Sequence, residues 1–130
     1  RRELTRADLV TQRWVIGDQP HSQDALEKYF AIEGLPAPLD VLRTNSLPLM
    51  VSLVRSGQFL STLAEHLIGD ALRSGEIRRL PLADAVIERQ AGLIYRRDAS
   101  ARPATGYVIE AFRRSCAALG GPAGEGSARR

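Results

Sequence analysis

The chain has 130 residues, 44% of them apolar, 25% charged and 5% aromatic, with a formal net charge of +3. A chain of this length buries roughly two thirds of its unfolded surface, so a core needs neither a metal nor disulfides, and collagen-like, disordered and disulfide-stapled classes are excluded. The longest apolar stretch, residues 47–51, is far short of the ~20 residues that span a bilayer, and no charged head with an apolar core marks a secretory signal.

The lone cysteine, Cys116, has no partner for an internal disulfide, which fits a reducing cytoplasm. Residue 1 is Arg and the single methionine is Met50, so the gene product is expected to begin upstream. The basic residues are almost all arginine, with Lys28 the single lysine. They fall in scattered doublets such as Arg78-Arg79, Arg96-Arg97 and Arg113-Arg114, without the interleaved aromatics of a single-strand binder. They read as solvated faces rather than as a nucleic-acid surface.

Trp14-Val15-Ile16 is a short apolar run closed by Gly17-Asp18, the pattern of a strand and turn. Ser22 is expected to cap a helix with Asp24 in its first turn; Leu26, Tyr29, Phe30 and Glu33 follow at helical spacing, and Gly34 ends it. Leu35-Pro36-Ala37-Pro38 is a rigid connector, and residues 39–44 read as a second strand. Asn45 or Ser46 caps the next helix, Pro48 fits its first turn, and Gly57 terminates it. That helix is apolar nearly all round, which predicts extensive burial.

Residues 59–63 read as a third strand. Residues 65–74 read as a helix with Leu67, Ile68, Ala71 and Leu72 on one face, residues 77–82 as an extended edge, and residues 91–97 as a further strand. Pro103 opens a last helix striped by Val108, Phe112, Ser115 and Leu119, beside which Cys116 is expected to be buried. Residues 120–130 carry little that could pack and read as a loose tail.

Strands alternating with helices predict an α/β layer structure with a mainly parallel sheet. Ligands of such sheets bind beyond the carboxyl ends of the strands. That rule selects two turns: residues 17–22 after the first strand, and residues 44–46 after the second. Both lead into helix N-termini, whose free N–H groups and positive dipole end suit a carboxylate or other anion.

No catalytic constellation is present. No glycine pattern of a dinucleotide or P-loop site follows any strand. His21 and His66 lack ligand partners at metal-site spacing, no nucleophile elbow occurs, and Glu27, Glu33, Glu65 and Asp70 fit helix surfaces. No cofactor or metal is expected. The helix after Ser46 is too apolar to read a major groove.

Taken in order, several segments resemble the C-terminal half of the effector-binding region of LysR-type transcriptional regulators. They are residues 4–9 before Trp14-Val15-Ile16, residues 44–57 ending at Gly57, Gly75-Glu76-Ile77-Arg78-Arg79-Leu80, and Gly92-Leu93-Ile94-Tyr95-Arg96-Arg97-Asp98 followed by Pro103-Ala104 and Ile109-Glu110-Ala111-Phe112. The resemblance covers residues 4–119. It implies one lobe of a type-2 periplasmic-binding-protein-like fold: residues 1–90 as the second lobe, and residues 91–119 as a return strand and helix belonging with the first.

The resemblance also implies an effector held within the same two turns, by Gln19, Pro20, His21 and Ser22 of the first and Thr44, Asn45 and Ser46 of the second, together with dimers or tetramers and DNA binding by a separate winged helix-turn-helix. In dimers of the family the helix carrying Tyr29 and Phe30 packs on a partner, which makes these two residues candidates for that face; core packing is the other reading of them. Two departures stand out. Phe59 and Ala64 replace the family's usual Gly and Pro, which suggests a bulkier cleft wall. The resulting expectation is a cytoplasmic, non-enzymatic sensing module. Its rivals are a solute-binding lobe of a transport protein and half of an α/β enzyme.

Overall fold

The computed structural model describes residues 3–82 and 92–119. The chain divides into two compact units, residues 1–87 and 88–130. In the first unit the order is α1 (Ala7–Val10), β1 (Trp14–Gly17), α2 (Pro20–Ala31), β2 (Val41–Thr44), α3 (Leu47–Arg55), a 3-10 turn (Glu65–Leu67) and α4 (Gly69–Arg73). In the second, a 3-10 turn (Arg97–Ala101) precedes α5 (Pro103–Ala118).

β1 and β2 run parallel, in the register Trp14 to Val41, Val15 to Leu42, Ile16 to Arg43 and Gly17 to Thr44. On the other side of β1 the expected third strand reduces to one bridge. Leu60 pairs with Trp14, with Leu60 N donating to Arg13 O at 2.8 Å and Val15 N donating to Leu60 O at 2.9 Å. The Ser61 hydroxyl then donates to Val15 O at 2.7 Å. A continuing parallel ladder would use that carbonyl for the N–H of Thr62, so a local side chain competes with the ladder.

Side chains alternate across β1 and build two cores. Trp14 and Ile16 pack with Leu9, Leu26 and Phe30, while Val15 packs with Met50 and Phe59. The Trp14 and Phe30 rings meet edge to face at 5.8 Å, and the indole N–H of Trp14 donates to Leu9 O at 3.0 Å. Ile68, Ala71 and Ile77 form a third cluster.

Several expectations change. Gln19, not Ser22, stands at the N-cap of α2, with Pro20 in its first turn. Proline arrives with the helical φ already set and lacks only an N–H the helix would leave free. α3 begins as expected at Ser46, and Gly57 ends it with φ 75°. It is not buried all round: Met50 is buried and Leu49 is 44% exposed, because only one face meets the sheet.

The helix expected over 65–74 breaks into the 3-10 turn and α4 around Ile68, next to the poor helix former Gly69. Ile68 and Ala71 are buried and Leu67 is 54% exposed. Residues 77–82 join no described ladder; Pro81 has no N–H to offer one.

Phe59 is not a cleft wall. It is 7% exposed and lies beneath the Arg13 guanidinium at 4.4 Å, next to the Leu60–Trp14 bridge at the start of β1. Ala64 is exposed and precedes the 3-10 turn.

In the second unit, residues 92–96 join no described ladder, and Gly92, Leu93, Ile94 and Tyr95 are exposed. An apolar run becomes a buried strand only where a neighbouring strand receives it. Residue 91 and the tail at 120–130 lie outside the described residues. α5 matches the expected start at Pro103, but Val108 and Leu119 are exposed and Cys116 is half-buried rather than buried. No helix among the described residues is long and apolar enough to cross a membrane.

Candidate functional site

β1 and β2 end at the same level. Gly17 and Thr44 are register partners, and Asp18 N extends the ladder by donating to Thr44 O at 3.1 Å. Each strand then turns within a few residues into a helix, α2 at Pro20 and α3 at Leu47. The two turns selected from sequence, residues 19–22 and 44–46, therefore share one rim at the carboxyl ends of the strands, where α/β sheets bind their ligands.

The second turn is internally braced. Thr44 Oγ1 accepts from Ser46 N at 3.1 Å, and Ser46 Oγ accepts from Leu49 N at 3.3 Å. Both hydroxyls act there as acceptors, which leaves each O–H able to donate outward. Asn45 is exposed between them.

The first turn is more open. Gln19 provides no side-chain cap to α2; Pro20 brings no N–H, and Ser22 N donates to Gln19 O at 3.0 Å. Gln19, Pro20 and His21 are exposed. Ser22 is half-buried, with its hydroxyl close against Gly17: a Cβ on Gly17 would sit 2.9 Å from Ser22 Oγ. Asp18, exposed at the same rim, adds a negative charge that the sequence reading did not weigh.

Tyr29 and Phe30 do not form an outward pair. Phe30 is fully buried against Trp14, and the Tyr29 ring meets it edge to face at 5.3 Å. Core packing, the alternative reading, accounts for Phe30. Tyr29 is half-buried beneath Arg6, whose guanidinium lies 4.1 Å over its ring.

Arg6 is the residue that sequence reasoning passed over. Its side chain is only 4% exposed, although nothing in its polar neighbourhood, Thr5 to Asp8, announces burial. A cavity of about 290 Å³ adjoins it, lined also by Leu4, Tyr29, Glu33 and Pro81. It lies by the C-terminal end of α2, away from the rim. No group of three or more metal-ligating side chains occurs among the described residues.

Comparison with known proteins places the chain in a family. Residues 1–117 match the family model of the LysR substrate binding domain. The chain is 30% identical over 112 residues to the HTH-type transcriptional regulator GalR of Pseudomonas putida, an alignment covering 85% of this chain and 28% of that protein. The chain thus spans little more than a quarter of the relative's length. No solved structure matches it. With its parallel strand pair, flanking helices and a match running over nearly its whole length, the chain belongs to the LysR substrate-binding domain family, whose fold is periplasmic-binding-protein-like.

Proposed function

We propose that this chain is the effector-sensing part of a LysR-type transcriptional regulator, binding a small anionic metabolite at the rim formed by Gln19, Pro20, His21 and Ser22 with Thr44, Asn45 and Ser46. The observation that carries the reading is the alignment of the two turns: Gly17 opposite Thr44, with two helices starting just beyond. Outward hydroxyl donors and the positive ends of two helix dipoles suit a carboxylate. Membership of the family and the relative's description as an HTH-type regulator support transcriptional control.

On this reading residues 1–90 form the second lobe and residues 91–119 return to the first. The described side chains of 92–119 include none that is buried and several exposed apolar ones, among them Ile94 and Val108, which supports packing on protein outside this chain. DNA is contacted by a helix-turn-helix head, the regulator works in the cytoplasm as a dimer or tetramer, and the module performs no catalysis. The effector acts by preferring one arrangement of the lobes, which shifts the population toward it.

The test uses Asn45→Ala in the regulator that carries this chain, because the structure gives the Asn45 side chain no bracing role. We expect a stability change within about 0.5 kcal/mol, unchanged DNA affinity, and an effector response displaced to higher concentration. An unaltered response with both Asn45→Ala and His21→Ala would remove the rim as the effector site.

A further inference from the structure

We propose that Arg6 is a positioning residue that fixes α2, and through α2 the turn at the rim. Arg6 Nη1 donates to Tyr29 O at 2.5 Å, Nε lies 3.3 Å from Glu33 Oε1, and Cζ lies 4.1 Å over the Tyr29 ring. Tyr29 stands in the last turn of α2, where the helix runs out of donors. Glu33 N, which would serve Tyr29 O in a continued helix, instead donates to Phe30 O at 3.2 Å. Arg6 supplies the missing donor from a distant part of the chain and places its charge at the negative end of the helix dipole.

The opposite end of α2 is the rim. α2 has 12 residues, a rod of roughly 18 Å. Leu26 and Phe30 hold it to β1, and Arg6 clamps its far end to the segment that leads into α1. Any slide or rotation of α2 that moves residues 19–22 against residues 44–46 must disturb the Arg6 contacts. Arg6 therefore sets the width of the rim without touching a ligand. The consequence for sensing rests on the proposed reading of the rim, while the mechanical link does not.

The experiment is hydrogen exchange of the regulator that carries this chain, comparing the native sequence with Arg6→Met and Arg6→Lys. Ile77→Ala serves as a destabilised control from the separate Ile68, Ala71 and Ile77 cluster. Arg6→Met is expected to speed exchange about tenfold at both ends of α2, residues 23–25 and 30–34, while residues 50–54 of α3 change by less than about twofold. Arg6→Lys, which keeps the charge but loses the fork and the stacking plane, is expected to fall between. Ile77→Ala should show no preference for α2. Faster exchange confined to residues 30–34, or spread equally over α2 and α3, would overturn the proposal. Should Arg6→Met fail to fold, Arg6→Lys and Glu33→Gln carry the same comparison. A regulator indifferent to Asn45→Ala and His21→Ala would remove the effector reading while leaving the exchange result to stand on its own.

Discussion

Gly17 and Thr44 face each other as the last register partners of β1 and β2, and the backbone beyond Gly17 makes one more bond to Thr44 O. This pairing brings two turns 22 or more residues apart in sequence to one edge of the sheet. Everything proposed for the rim follows from the two strands stopping at the same level.

Ser46 braces the start of α3, and its removal has a defined cost. Ser46→Ala leaves the Leu49 N–H without its side-chain acceptor. A lost N-cap costs about 1 kcal/mol. Urea unfolding followed by the single buried tryptophan, Trp14, should show that loss, and Ser46→Asp should recover most of it. Ser46→Ala with an unchanged midpoint would mean the cap contributes nothing.

Gly17 makes room for the Ser22 hydroxyl. A Cβ at residue 17 would approach Ser22 Oγ to 2.9 Å, yet Ser22 Cβ only to 3.8 Å, so rotation of the hydroxyl relieves the contact. Gly17→Ala should therefore cost less than about 1 kcal/mol in thermal unfolding. It should also change effector response as much as Ser22→Ala does, and the double variant should add little. Independent, additive effects would show that the two residues do not share this space.

Phe30 belongs to the core. Phe30→Ala should lower stability by about 3–5 kcal/mol in urea unfolding, because the cavity opens against Trp14. A near-native midpoint combined with a loss of self-association in ultracentrifugation would restore the interface reading for this residue.

Gly57 ends α3 at φ 75°, a conformation that places a Cβ too close to the following carbonyl oxygen. Gly57→Ala should cost about 1–2 kcal/mol in chemical denaturation even though open space surrounds the position. Gly57→Asn should cost less, since Asn tolerates this backbone region. Equal stability of all three sequences would contradict the strain argument.

Much of the fold was legible because its signals are local. The run at Trp14-Val15-Ile16, the cap at Ser46, Pro103 at the head of α5 and the stop at Gly57 each act within one turn of chain. The rim was legible for a general reason, since parallel strands that each lead into a helix place their exits on one side. What was not legible depends on tertiary competition. Ser61 takes a carbonyl that a third strand would have used, and Phe59 looks like a cleft residue until its neighbours Val15 and Met50 are known. Arg6 is the clearest case: its burial depends on the unfilled carbonyl of Tyr29, which no pattern near residue 6 reveals.

The central claim is that the two turns jointly form half of an effector pocket. The most direct measurement begins with a thermal-shift screen of small mono- and dicarboxylates on the regulator that carries this chain. Hydrogen exchange then follows with the compound that stabilises it most. The account predicts new protection at residues 19–23 and 45–49 together, with the cavity beside Arg6 unaffected. Protection elsewhere in the chain with both turns unchanged, or a screen in which no carboxylate raises the melting temperature, would contradict it.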